Sequence, residues 1–135
     1  MKKILLLNIF LLFIVLFPVF SQDANTISVD KIDNVSPPDW ILGTWILEED
    51  SDEPFVIEFL EQDIVMDEYS TEEDIESGFI IAFSQNITPE YYDIYVKFDN
   101  GEWFKERFFI TSTDEMESEF SASDGTELSF IYSRD

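Results

Sequence analysis

Short segments in which apolar and polar side chains alternate cover the chain from about residue 42 to its end. The clearest is 91–98, where one face carries an unbroken set of apolar or aromatic residues: Tyr92, Ile94, Val96 and Phe98. A period of two places successive side chains on opposite faces of an extended strand, so that one face is buried and the other meets water. The pattern therefore predicts a domain built mainly from half-buried β-strands.

Eight such segments follow one another, with turn residues between them. They cover 42–48, 55–60, 64–67, 78–83, 91–98, 103–110, 115–120 and 127–134. Connections this short join antiparallel neighbours, and a sheet that closes on itself leaves no exposed edge. We predict an all-β fold, an eight-stranded antiparallel up-and-down meander closed into a barrel, with a two-sheet sandwich as the alternative. The loop 70–74 has room for one helical turn, and no other helix is expected.

The connection Asp99-Asn100-Gly101 carries the strongest hairpin signal in the chain. Asn-Gly is favoured in a type I′ turn because both central residues of that turn need a positive φ. Asp124-Gly125 marks a second tight turn. These two turns predict two β-hairpins, each formed by the strands before and after the turn.

Residues 1–21 have the pattern of a signal peptide. A basic start at Lys2 and Lys3 precedes an apolar run from residue 4 to 17, and Val19-Phe20-Ser21 suits cleavage after Ser21. An uncleaved anchor is the alternative, but the run is shorter than the roughly 20 residues that span a bilayer as a helix. We therefore expect a secreted or periplasmic protein that is not inserted in a membrane after cleavage.

The mature chain is then divided at the prolines. Residues 22–39 lack a sustained period and end in the stiff pair Pro37-Pro38, which predicts a linker. Residues 40–135 form one domain of ordinary size, which we expect to be a monomer. With no cysteine in the chain, this domain is stabilised without disulfides.

Charge excludes whole classes of partner. The chain has seven basic and 30 acidic residues, and cleavage after Ser21 removes only the two lysines, which changes the formal net charge from −23 to −25. Such a chain repels a phosphate backbone and an anionic membrane surface, so binding to nucleic acid or membranes is not expected. Disorder is the other meaning of high acidity, but 45% hydrophobic and 16% aromatic residues argue against it.

The residue types also limit the chemistry. Without histidine or cysteine, serine–histidine and cysteine–histidine catalysis and histidine-based zinc sites are excluded. No glycine-rich phosphate loop is present, and we expect no cofactor and no enzymatic activity. The acidic loops 50–53 and 72–74 carry oxygen ligands for a cation, but they lack the spacing of a calcium loop, so we interpret them as solvated loops rather than a metal site.

The first strand and the last one carry a recognisable pair of features. Gly43-Thr44-Trp45 is similar to the Gly-X-Trp of the first lipocalin strand, and Arg134 stands where lipocalins have an arginine that packs on that tryptophan. Thr113-Asp114 matches part of a second lipocalin motif, in which Glu115 replaces an aromatic residue. Over residues 40–134 the chain thus resembles short lipocalin-like domains of secreted bacterial proteins, which implies a barrel floor formed by Gly43, Trp45 and Arg134.

The resemblance implies a small hydrophobic ligand held inside the barrel. Arg107 is the candidate to pair with a ligand carboxylate, and the candidate lining residues are Phe59, Phe83, Phe104 and Phe130. Lys105 and Arg107 alternate with Glu106, so one of these charges points inward, and an outward Arg107 is the alternative. The competing hypothesis for function is an exported structural or interaction module, with a filled core and a protein partner bound through its acidic loops.

Overall fold

The computed structural model describes residues 31–135, so the predicted signal peptide lies outside the described residues. The strands, in chain order, are β1 Gly43–Leu47, β2 Val56–Leu60, β3 Asp63–Met66, β4 Tyr69–Ser70, β5 Ile80–Ile87, β6 Tyr92–Phe98, β7 Trp103–Ser112, β8 Glu115–Ala122 and β9 Glu127–Arg134. Helix α1 Thr71–Glu76 lies between β4 and β5. Within residues 31–135, no helix has the length and apolar character needed to cross a bilayer.

All nine strands belong to one antiparallel sheet with the order β4-β3-β2-β1-β9-β8-β7-β6-β5. The chain therefore meanders, and β1 joins the two halves by pairing with both β2 and β9. The prediction of an all-β, barrel-like fold is confirmed at this level. The sheet has nine strands instead of the predicted eight, and it is a curled half-barrel, not the closed barrel that was expected, with β4 and β5 at its two edges.

The extra strand was missed because it is very short, whereas α1 is slightly longer than the single helical turn expected in the loop 70–74. β4 has two residues, which pair with Val65 and Met66. Helix α1 begins after Ser70, whose side-chain oxygen accepts a hydrogen bond from the Glu73 amide at 3.1 Å, and Asp63 accepts one from the Glu72 amide at 2.9 Å. These caps satisfy helix donors that would otherwise lack partners. The helix contacts β3, β4 and β5, and it therefore lies between the two edge strands β4 and β5.

Alternate residues of the strands point to an inner face that holds the core. Its fully buried large side chains include Trp45, Phe59, Phe83, Tyr92 and Phe108. On β6 to β9 the opposite residues form an outer face, which is more exposed and carries most of the charged side chains. Val35 and Ile41, which precede β1, are buried in the same core.

The segment 31–36 packs along β5, at one edge of the sheet. Ile32 forms a parallel bridge with Phe83, with the Asp33 amide bonded to the Phe83 carbonyl at 2.8 Å and the Phe83 amide to the Lys31 carbonyl at 3.1 Å. We call residues 31–36 the strap. The strap lies within the region predicted as a linker, and it satisfies backbone groups of an edge strand.

The two predicted hairpins are present, but with another turn type. Gly101 has φ +88° and Gly125 has φ +89°, whereas Asp67 is the one non-glycine residue with positive φ among residues 31–135. Asn100 therefore does not adopt the positive φ that a type I′ turn requires. The Gly101 amide bonds to the Phe98 carbonyl at 3.0 Å, which fits a type I turn followed by a glycine in a bulge. The type I′ prediction was wrong.

Candidate functional site

The start of β1 is fixed to the end of β9 by one arginine. The Arg134 guanidinium lies 4.2 Å from the ring centre of Trp45, and the two residues are register partners. Its nitrogens also donate to the carbonyls of Leu42 at 3.0 Å and Thr113 at 3.2 Å. Trp45 is fully buried, and its indole nitrogen donates to the Ile41 carbonyl at 2.8 Å.

Gly43 makes this contact possible. A Cβ at position 43 would lie 3.2 Å from Nη1 of Arg134, and the φ of Gly43 is +125°. A side chain at this position would strain the backbone and would press on the guanidinium of Arg134. The structure thus brings together all three residues that the lipocalin resemblance implies for the floor.

The orientation of strand β7 places Glu106, and not Arg107, on the inner face. Phe104, Glu106 and Phe108 are buried, whereas Arg107 is exposed. The prediction of Arg107 as an interior partner for a ligand carboxylate was therefore wrong, and the outward alternative was right. The physical reason is that a guanidinium is charged at all accessible pH values, whereas a carboxyl group can enter the core in its neutral form.

On the outer face, Arg107 and Lys105 are held by aromatic rings. Arg107 forms two hydrogen bonds with the Asp93 carboxylate, at 2.7 and 2.9 Å, and lies 4.0 Å from the ring centre of Tyr91. The Lys105 ammonium lies 6.0 Å from the ring centre of Tyr95 and 5.5 Å from that of Trp103. Cation–π contacts of this kind fix a basic group on a flat apolar surface.

The phenylalanines predicted to line a ligand pocket pack against other side chains of the inner face. Phe59, Phe83 and Phe104 are buried, and Phe130 is half-buried. Ring centres lie 5.1 Å apart for Phe59 and Phe108, 5.5 Å for Phe104 and Phe120, and 6.3 Å for Phe120 and Phe130. These distances are those of rings in direct contact. The four predicted residues are thus members of one aromatic core.

A buried acid lies within this core. Glu106 is 6% exposed, accepts a 2.6 Å hydrogen bond from the Ser118 hydroxyl, and is hydrogen-bonded to Tyr132 as well. Removal from water raises the pKa of Glu106 to about 7, although the hydrogen bonds from Ser118 and Tyr132 act in the opposite direction. Burial also raises the pKa of Tyr132. Every buried side-chain polar atom of residues 31–135 has a partner, so this group is internally satisfied.

Sequence reasoning recognised that one charge of this strand points inward, but it did not identify Glu106. The signal was present in the neighbouring strand. Glu106 pairs with Phe120, which belongs to the alternating buried set of β8 together with Met116 and Ser118. If the alignment of β7 with β8 had been known, Glu106 would have been placed beside the buried residues of β8, and Arg107 beside Glu119.

An open groove of about 940 Å³ crosses the sheet. Ten of its lining residues point outward, and only one inward row, Gln85 to Leu128, is among the others, so we place the groove on the outer face. It is lined by three consecutive residues from each of five strands, namely 84–86, 93–95, 105–107, 119–121 and 127–129, together with Lys31. The strand registers arrange the outward side chains in two rows. The first row is Ser84, Tyr95, Lys105, Ser121 and Glu127, and the second is Asn86, Asp93, Arg107, Glu119 and Ser129.

The acidic loops have local structural roles. Glu72, Glu73 and Asp74 form the first turn of α1, where negative charge interacts favourably with the helix N-terminus. Within the loop 50–53, the Glu53 amide donates to the Ser51 hydroxyl oxygen, and across the loop a Glu49 oxygen accepts a hydrogen bond from the Phe55 amide. Among the described residues no cluster of acidic side chains has the geometry to hold a metal ion.

Comparison with protein families, with curated proteins and with solved structures finds no match for this chain. The lipocalin resemblance therefore stays a prediction. It is carried by Gly43, Trp45 and Arg134 and by the meander.

Proposed function

We propose that this protein is an exported, non-catalytic binding module, whose inner face is a filled structural core and whose ligand binds on the outer face. The observation that carries the proposal is the orientation of β7. Its basic and aromatic residues, Lys105, Arg107 and Trp103, face outward, while Phe104 and Phe108 fill the interior. The competing proposal is the small hydrophobic ligand inside the barrel that the lipocalin resemblance implies.

The chemistry of the inner face supports outer binding over an interior fatty acid. The ionisable group that β7 presents to the core is Glu106, and the carboxylate of a bound fatty acid beside it would be repelled or would have to share a proton. The rings of Phe59, Phe104 and Phe120 contact neighbouring rings at distances that leave no gap between those pairs. An interior ligand would therefore have to displace core side chains, at the cost of their packing.

A competition titration tests the proposal. The neutral fluorescent probe N-phenyl-1-naphthylamine is titrated into the purified protein, followed by palmitic acid as the competitor. We expect no saturable signal, because an interior probe would have to displace packed side chains of the core. Stoichiometric probe binding that palmitic acid displaces would contradict the proposal and favour the interior ligand.

The acidic surface supports a second candidate, a basic protein partner. Asp50, Asp52 and Glu53 are exposed in a chain of net charge −23. A basic partner would be attracted over several ångströms and released by salt, because the Debye length falls from about 10 Å at 0.1 M salt to about 3 Å at 1 M. Elution of a basic partner from the immobilised protein by salt supports this candidate, and retention in high salt contradicts it.

A further inference from the structure

The groove on the outer face differs in charge from the rest of the molecule. Its outward side chains include three basic residues, Lys31, Lys105 and Arg107, and three acidic ones, Asp93, Glu119 and Glu127. Glu106 also borders it, but its carboxyl group is buried against Ser118. The groove is thus formally neutral in a chain whose net charge is −23.

This neutrality limits what the groove can take. An anionic polymer would be repelled by the whole molecule, and a cationic one would gain more from the acidic loops than from a balanced groove. A ligand that recognises this surface is therefore uncharged and interacts through hydrogen bonds and apolar contact.

The side chains of the two rows supply both kinds of contact. Hydroxyl and amide groups come from Ser84, Asn86, Ser121 and Ser129. Between them lie the ring of Tyr95, whose centre is 5.9 Å from that of Trp103, and charged groups that can donate to or accept from a hydroxyl. Half-buried Tyr and Trp rings offer a rigid flat surface at low entropic cost, which suits a ligand with an apolar face and hydroxyl edges.

The shape of the groove indicates an elongated ligand. Five neighbouring strands spaced about 4.8 Å apart span about 19 Å from the first to the last, and the groove crosses all five. Its volume of about 940 Å³ lies at the upper end of the range for small-molecule sites, about 300–1,000 Å³. Tyr91 and Trp103 flank the two rows on opposite sides, so the rows form a bordered strip on the sheet.

We infer that this groove binds a neutral oligosaccharide, laid across strands β5 to β9 with a sugar face on Tyr95. The inference rests on the proposed function, because it requires binding on the outer face. It adds the chemical class of the ligand, which is an uncharged, polyhydroxylated oligomer.

The test is a titration of the isotopically labelled protein, followed by amide chemical shifts. The neutral probes are cellohexaose, xylohexaose, maltohexaose and chitohexaose in its N-acetylated form. Hexagalacturonic acid and hexalysine serve as acidic and basic counterparts. At least one neutral probe should shift the amides of 93–95, 105–107 and 119–121, with a Kd between about 10 μM and 1 mM. The Kd should change less than about twofold between low and high salt, because no net charge is neutralised.

Variants locate the site. Tyr95→Ala should weaken the binding at least about tenfold, and Ser121→Trp should abolish it by filling the groove from a neighbouring strand. Phe109→Ala is the matched control, because Phe109 lies on the same face of β7 outside the groove and its loss should leave the Kd unchanged. The Ser121→Trp variant removes no contact between rings. It therefore still tests the site if the Tyr95→Ala variant does not fold.

Three results would overturn the inference. They are the absence of binding by all four neutral probes at about 10 mM, binding that Ser121→Trp leaves intact, and groove shifts caused by hexagalacturonic acid or hexalysine alone. The last result would leave the proposed function standing with another ligand class. By contrast, displacement of N-phenyl-1-naphthylamine by palmitic acid would remove the proposed function itself.

Discussion

Glu106 brings a carboxyl group into the aromatic core of a chain that has 30 acidic residues. Burial raises its pKa from 4.5 to about 7, so the folded protein keeps a proton that the unfolded chain loses near pH 4.5. The stabilising effect of that proton is complete below pH 4.5 and is lost as the pH rises to about 7. This difference between the pKa values of the folded and unfolded states corresponds to about 3 kcal/mol in the free energy of unfolding.

Glu106→Gln should remove this pH dependence. The amide keeps an oxygen for the Ser118 hydroxyl and cannot ionise. The difference in free energy of unfolding between the variant and the parent, measured by urea denaturation, should change by about 3 kcal/mol between pH 4.5 and 7.5, in favour of the variant at the higher pH. Glu119→Gln, on the outer face of β8, controls for the loss of one negative charge. Parallel pH curves for Glu106→Gln and the parent would contradict the assignment of a buried acid.

Gly43 and Gly101 both have positive φ, but only one lies under another side chain. Gly43→Ala should destabilise the fold by about 1–3 kcal/mol, because the residue is strained and its Cβ meets Arg134 at 3.2 Å. Gly101→Asn is the matched control, since no atom lies within 4 Å of a Cβ there and asparagine tolerates the left-handed region. Thermal unfolding measures both. An equal loss of stability in the two variants would mean that the close approach of Arg134 to residue 43 does not contribute to the cost of the substitution.

Among the secondary-structure elements, the alternation of apolar and polar residues predicted the central strands well. It did not predict the elements at the edges of the sheet. The stretch 91–98 was predicted within a residue of β6, because its buried face is continuous. The two-residue strand β4 and the helix depend on contacts of Ser70 and Asp63 that no period reveals. The strap depends on β5 being an edge, which is a property of the whole sheet.

The strap supports a prediction about local opening. The Gln85 side chain accepts hydrogen bonds from the Ser36 amide at 3.2 Å and the Tyr92 hydroxyl at 2.8 Å, and it donates to the Asn34 carbonyl at 3.0 Å. Gln85→Ala should cost about 1–3 kcal/mol, because the buried Tyr92 loses its partner. It should also speed hydrogen exchange at the Asp33 amide, which bonds to β5.

Asn86→Ala is the matched control for the strap, because Asn86 is the next residue of β5 and is exposed. Its exchange pattern should equal that of the parent protein. Unchanged exchange at Asp33 in Gln85→Ala would show that the strap is held without this side chain.

In the molecule as a whole, the contact between the first and last strands could be predicted from a family resemblance. The inward side of β7 and the outer groove could not, because they depend on how the strands are aligned with one another. The contact of Trp45 with Arg134 was expected from a three-residue motif and a terminal arginine, because both lie at fixed ends of the sheet. The side of β7 that faces inward was left open, because both faces of that strand carry aromatic and charged residues. The outer groove was not predicted at all, since it requires the relative register of five strands.

We propose that the inner face is a structural core and that the outer face binds the ligand. Glu106, Phe59 and Phe104 belong to the first, and Tyr95, Lys105 and Arg107 to the second. The curled sheet allows this division because successive residues of each strand point to opposite faces.

The most direct test of this division is amide chemical-shift mapping with N-phenyl-1-naphthylamine and the neutral hexasaccharides, each added to the same labelled protein. We predict that the hydrophobic probe causes no saturable shifts around Phe59, Phe83 and Phe104, while a hexasaccharide shifts the amides of 93–95 and 105–107. Saturable shifts around those three phenylalanines, with no response from the groove, would contradict this prediction.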